Sequence, residues 1–215
     1  MKTLDLKKDL KYLYASSTKN AEIIEVPRLQ FAMIDGAIEK GYEPGNSPAF
    51  AEATQALYSI SYTLKFMVKK RKANPVDYPV MPLEGLWSIQ DENVDVAKKD
   101  NWSYTLMILQ PDVITKYIFT EGLEQVRKKK GDSPILSKLR LEHFEEGLCV
   151  QIMHIGPYAT EPATIERMRG FALENGYRDR VGPKGKHHEI YLGDPRKANP
   201  EKLKTVLRHP LEKVN

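Results

Sequence analysis

A single cysteine, Cys149, stands among the 215 residues. That excludes a disulfide framework and a zinc site built on several thiolates, and it fits a reducing compartment. Long apolar runs are missing too. None approaches the roughly 20 residues of a membrane span, and the opening MKTLDLKKDLKYLY is too charged for a secretory signal. Neither charge sign dominates. Basic residues number 33 against 29 acidic ones, a net charge of +4, and they cluster only at 69–72 and 127–130. This balance argues against a nucleic-acid partner, and the 25 residues of the N-terminal arm are too short for a helix-turn-helix. A phosphate-binding loop, a dinucleotide glycine fingerprint and a serine elbow are all lacking. The expectation is a cytoplasmic protein with no cofactor, no metal, no membrane contact and no direct contact with nucleic acid.

What is present is enough for a core, with 41% hydrophobic residues. The stretch EVPRLQFAMIDGAI predicts a strand, because Leu29, Phe31 and Met33 alternate with Gln30, Ala32 and Ile34. Ser47 before Pro48 predicts a capped helix start, followed by an apolar face of Phe50, Ala53, Leu57, Ile60, Leu64 and Met67 that ends at Asn74-Pro75. Tyr58, Tyr62 and Phe66 flank that face and read as a core edge. PVMPLEGLWSI and NWSYTLMILQP predict strands around a polar turn at Asp91–Asn101, and a second helix runs from Asp112 to about Lys129. A hairpin turning at Glu145–Gly147 and a third helix opened by Thr160 and Pro162 come next, and His187–Leu192 forms a late strand.

The order repeats. A strand ending MIDG, a Pro-opened helix and a strand with LEGLW match a strand ending MHIG, a Pro-opened helix and a strand with HEIYL. We expect an arm over residues 1–25 and one domain over 26–215. Its two α/β repeats, about 26–110 and 139–215, are linked by the helix at about 112–129. A duplicated unit creates a cleft on its pseudo-two-fold axis, and Glu84 and Glu189 are expected to approach it together.

Strand alternation puts His187, Glu189 and Tyr191 on one face and His188, Ile190 and Leu192 on the other. The apolar face is expected to meet the helices, leaving Glu189 on a concave side. Gly85 would permit a bulge bringing Glu84 and Trp87 together. Trp102 and Tyr104 share a face, and Tyr158 follows a Gly-Pro turn. An acid among aromatic rings suits a planar, apolar or cationic ligand, since the rings stack and the carboxylate answers a positive charge or orients water. As metal ligands, only His187 and Glu189 could share an ion, and the sequence offers no evident third. Cys149 and His154 read as ordinary strand residues rather than as a nucleophile pair.

PLEGLW at 82–87 and KGKHHEIYLGDPRKANPEKLKTVLRHP at 184–210 resemble the stand-alone GyrI-like small-molecule-binding proteins. The resemblance implies an α+β fold similar to multidrug-responsive effector-binding domains, with an antiparallel sheet and a central pocket for hydrophobic or cationic compounds. It makes Glu189 the pocket acid and Glu84 its counterpart. One branch of the family hydrolyses cyclopropane-bearing DNA-alkylating compounds in an aromatic cage. By that likeness Trp87, Trp102, Tyr104 and Tyr158 form the cage, Glu189 or Glu84 orients water, and Tyr191 is a donor. Ser88 stands where relatives often carry a second aromatic. Drug sequestration without reaction, and inhibition of gyrase by protein contact, are the competing readings.

Overall fold

In the computed structural model, residues 1–88, 102–182, 185–194 and 198–214 are described. The expected turn at Asp91–Asn101 lies outside them. Nine strands build the main sheet: β1 (Glu22–Val26), β2 (Leu29–Ala37), β3 (Leu83–Ser88), β4 (Ser103–Leu109), β5 (Arg140–Phe144), β6 (Gly147–Ile155), β7 (Tyr177–Asp179), β8 (His187–Tyr191) and β9 (Lys204–Lys213). Three long helices accompany them: α1 (Pro48–Lys69), α2 (Lys116–Lys130) and α3 (Glu161–Glu174). The Ser47 side chain caps α1 by accepting from the Phe50 N–H, as the Ser-Pro signal predicts. None of the described helices is long and apolar enough to cross a membrane.

The strand order is β1-β6-β9-β8-β3-β4-β2-β5, with β7 added to β9, and every pairing in this sheet is antiparallel. The duplication is visible in that order. Reading outward from the central β8–β3 seam, β3-β4-β2 on one side is answered by β8-β9-β6 on the other, and each half carries one helix between equivalent strands. The chain has the α+β class expected for two repeats about a pseudo-two-fold axis.

Directly paired residues in neighbouring strands point to the same side of a sheet. Glu189 pairs with Leu207 and Gly85, and Trp87 pairs with His187 and Tyr104, so one face carries Glu189, Trp87 and Tyr104. Both repeat helices cover this face. The Phe50 ring of α1 stacks on Trp87, while Ile165, Met168 and Ala172 of α3 pack on Val150, Ile152 and Leu207. The expectation that Ile190 would meet the helices is therefore corrected. Its side of the sheet is instead covered by the N-terminal residues, where Leu13 and Tyr14 are buried.

Candidate ligand-binding and catalytic site

The two central strands form the floor of a groove of about 2010 Å³ that opens along α1. Glu189 and Tyr191 of β8, Trp87 of β3 and Tyr158 from the turn before α3 line it. Gly85 sits opposite Glu189, where an added Cβ would come within 3.0 Å of Trp87 Nε1 and 3.1 Å of Tyr191 Oη. Its missing side chain lets the indole N–H donate to Tyr191 Oη at 3.0 Å. Tyr191 in turn donates to Glu189 Oε2 at 2.7 Å, and His187 Nε2 lies 2.8 Å from Glu189 Oε1. A carboxylate only 1% exposed is thus held from two sides at the groove floor.

Aromatic rings supply the walls. Trp87 stacks on Phe50 at 5.8 Å and 11°, and Tyr158 meets Tyr191 edge-on at 6.1 Å. Trp102 and Tyr104 touch Trp87, at 6.2 and 5.7 Å between ring centres, but both are buried and lie outside the groove lining among the described residues. They brace the indole. Tyr58, Tyr62 and Phe66, read from sequence as a core edge, line the groove instead, with Tyr62 50% and Phe66 45% exposed. Spacing put these rings on one helix flank correctly. What faces that flank depends on packing of distant segments, which periodicity does not encode.

Glu84 is elsewhere. The β3–β4 pairing runs without interruption from Glu84–Met107 to Trp87–Tyr104, so there is no bulge and Glu84 stays on the face opposite Trp87. Across the seam Glu84 pairs with Ile190, not Glu189. Gly85, not Glu84, shares the face of Glu189, one residue away from the match of LEGLW to HEIYL, and a one-residue slip turns a side chain to the other face. The expected convergence of Glu84 and Glu189 is not what the structure holds.

Glu84 Oε1 accepts from Tyr14 at 2.7 Å and its Oε2 lies 3.1 Å from His188 Nε2, while His188 Nδ1 lies 2.9 Å from Glu146 Oε2. Burial alone would lower the His188 pKa. The Glu146 charge and the bonds from Glu146 and Glu84 outweigh it and raise the value. Glu146 is lowered despite its burial, by His188 and Arg208. Arg208 also donates to the Leu13 carbonyl at 2.7 Å. This network fastens the N-terminal residues to the back of the sheet.

A second acid does reach Glu189, namely Glu161 from the first turn of α3. Ligand atoms of Glu161, His187 and Glu189 all lie within 4.8 Å of one another, so the third group missing from the sequence reading exists. Both His187 ring nitrogens are engaged, Nε2 with Glu189 and Nδ1 with His209 at 2.7 Å. His187 and Glu189 therefore read as a hydrogen-bonded acid–base pair, with the Glu161 carboxyl close beside it.

The sequence profile of the GyrI-like small molecule binding domain matches residues 20–212. The chain belongs to the GyrI-like family. No curated protein matches it. Among solved structures, an uncharacterized conserved protein from Listeria innocua is 43% identical, covering 97% of this chain and all (100%) of that one, with a TM-score of 0.86. A hydrolase from Listeria innocua is 40% identical over 97% of this chain and 100% of its own, with a TM-score of 0.83. The EcmrR C-terminal domain shares the fold at 13% identity, covering 91% of this chain and 98% of that domain with a TM-score of 0.52.

On this GyrI-like scaffold the phenols beside the buried acid keep their protons. Burial first, then the charge of Glu189, pushes the Tyr191 and Tyr158 phenols above their ordinary range, so both remain protonated donors at neutral pH. His154, which bonds Thr164 through Nδ1 at 2.9 Å, is lowered by burial. The Cys149 thiol is raised by burial, which makes it a poor nucleophile.

Proposed function

We propose that this GyrI-like chain binds flat hydrophobic or cationic compounds in its groove and hydrolyses those that carry a strained, alkylating cyclopropane ring. The observation that carries the reading is the Glu189 carboxylate, held by His187 and Tyr191 at the floor of an aromatic-walled groove. Tyr158 and the half-exposed Tyr62 and Phe66 supply stacking area, and an acid at the base favours a cationic ligand. The hydrolase from Listeria innocua, alike over its full length, supports a reaction rather than storage alone.

In this mechanism Glu189 orients a water against the strained ring carbon and accepts its proton as the new C–O bond forms. The ring C–C bond breaks, and its electron pair flows into the conjugated carbonyl, whose oxygen takes a proton. Tyr158, which lines the groove and whose phenol burial keeps protonated, is the donor we assign to that oxygen. Trp102 and Tyr104 act by holding Trp87 in place. Glu84 keeps the back of the sheet together and takes no part in the chemistry.

Mass spectrometry tests this directly. Incubating a cyclopropane-bearing alkylator with the wild type is expected to yield product heavier by one water, and Glu189→Gln is expected to release the compound unaltered. A wild type that binds the compound tightly and returns it at unchanged mass removes the hydrolysis and leaves sequestration.

A further inference from the structure

Behind Glu189 a line of buried groups runs away from the groove. His187 Nε2 lies 2.8 Å from Glu189 Oε1, His187 Nδ1 lies 2.7 Å from His209 Nε2, and His209 Nδ1 lies 2.8 Å from Asp179 Oδ2. Arg169 Nε donates to the same Asp179 oxygen at 2.7 Å. Four groups on β7, β8 and β9 are thus joined by three hydrogen bonds in series. Each bond needs one proton, because two bare lone pairs at such distances repel.

The outer end of the line determines where two of the three protons sit. The Arg169 ion pair keeps Asp179 ionised, so the outer bond is His209 Nδ1–H donating to a carboxylate. Burial holds His209 below its ordinary pKa even beside Asp179, which keeps the ring neutral and leaves Nε2 as an acceptor. His187 must then donate from Nδ1. Its Nε2 is left facing Glu189, and the third proton resides there, on one partner or the other.

We propose that Asp179, His209 and His187 form a relay that sets the histidine tautomers and stores one exchangeable proton on the His187–Glu189 pair. His187 is the group that exchanges this proton with Glu189; His209 and Asp179 are positioning residues that act through it. Asp179, with its side chain 13% exposed, is the end of the line nearest solvent. The proton arrangement stands on the hydrogen bonds, the Arg169–Asp179 ion pair and the burial of His209, and only its use in turnover rests on the hydrolysis reading. Other groups that face the pair are Tyr191 on β8, Trp87 on β3, Glu161 on α3, Tyr158 in the preceding turn and His154 on β6.

Histidine-labelled ¹⁵N NMR of the whole chain reads the tautomers. His209 is expected to carry its proton on Nδ1, and His187 to be protonated at Nδ1 and to share a proton at Nε2. The second readout is binding of ethidium, a flat cation, across pH. Affinity is expected to rise as the pair loses its proton and the His187–Glu189 bond opens to leave a bare carboxylate, and Asp179→Asn, by removing the anion that favours the protonated relay, to move that midpoint down by about one pH unit. Should Asp179→Asn fail to fold, His209→Gln keeps an acceptor for His187 while cutting the link to Asp179, and the same shift is expected. A His209 protonated on Nε2 alone, or an unmoved midpoint in a folded variant, overturns the relay. If the wild type hydrolyses no substrate, the proposed reaction fails while these readouts still decide the relay. Hydrolysis with an unchanged pH profile in Asp179→Asn defeats the relay alone.

Discussion

Glu84 and Glu189 stand on adjacent strands of one sheet, both 1% exposed, and point in opposite directions. Their roles are expected to separate cleanly. Glu84→Gln weakens a buried bond network and is expected to cost about 1–3 kcal/mol of stability in urea unfolding while leaving ethidium affinity unchanged. Glu189→Gln is expected to lower that affinity about tenfold, the equivalent of about 1.4 kcal/mol. Equal losses of affinity in the two variants would show that the acids share a site after all.

This pair also marks how far the sequence could be read. Parity along β8 assigned His187, Glu189 and Tyr191 to one face and His188 to the other, because side chains in a strand alternate without exception unless a bulge intervenes. The Ser47 cap and the duplicated order were equally legible, since both are local or self-similar signals. Glu84 was misplaced because aligning two short motifs does not fix the register between strands. Glu161, Tyr14 and Phe50 acquire their roles only when segments distant in sequence pack together, and no local pattern announces that.

At Gly85 the motif LEGLW has little room for a side chain. A methyl group there would press on Trp87 Nε1 and Tyr191 Oη. Gly85→Ala is expected to break the Trp87–Tyr191 bond and to weaken ethidium binding several-fold, with a change in tryptophan emission. Gly170→Ala, in open space on α3, serves as the control and is expected to be neutral or slightly stabilising. Intact affinity in Gly85→Ala would mean that the bond does not shape the groove.

Tyr62 and Phe66 extend the groove wall beyond the acid. Replacing either with Ser is expected to leave unfolding unaffected and to cost about 1 kcal/mol of affinity for a ligand of several fused rings, with little effect on a single-ring analogue. Isothermal titration of the two ligand sizes checks this, and equal losses for both would place these rings outside the bound path.

The His188 network sets a pH window for stability. A raised folded pKa means that the His188 contribution is complete below its unfolded value of about 6.5 and is lost as pH rises through the folded value. Glu146, with a lowered folded pKa, contributes above its unfolded value of about 4.5 and loses that contribution as pH falls through the folded one. The difference in melting temperature between wild type and His188→Gln is therefore expected to be widest near about pH 5–6 and to narrow above neutrality. A difference that grew with pH would contradict a charged His188.

The N-terminal residues make contact on both sides of the seam: Tyr14 bonds Glu84 in the first repeat, while the carbonyls of Leu13 and Tyr12 accept from Arg208 and Gln151 in the second. A strap laid across a hinge line prevents the hinge from opening. Opening the sheet at this seam would have to break all three of these bonds along with the β3–β8 pairing.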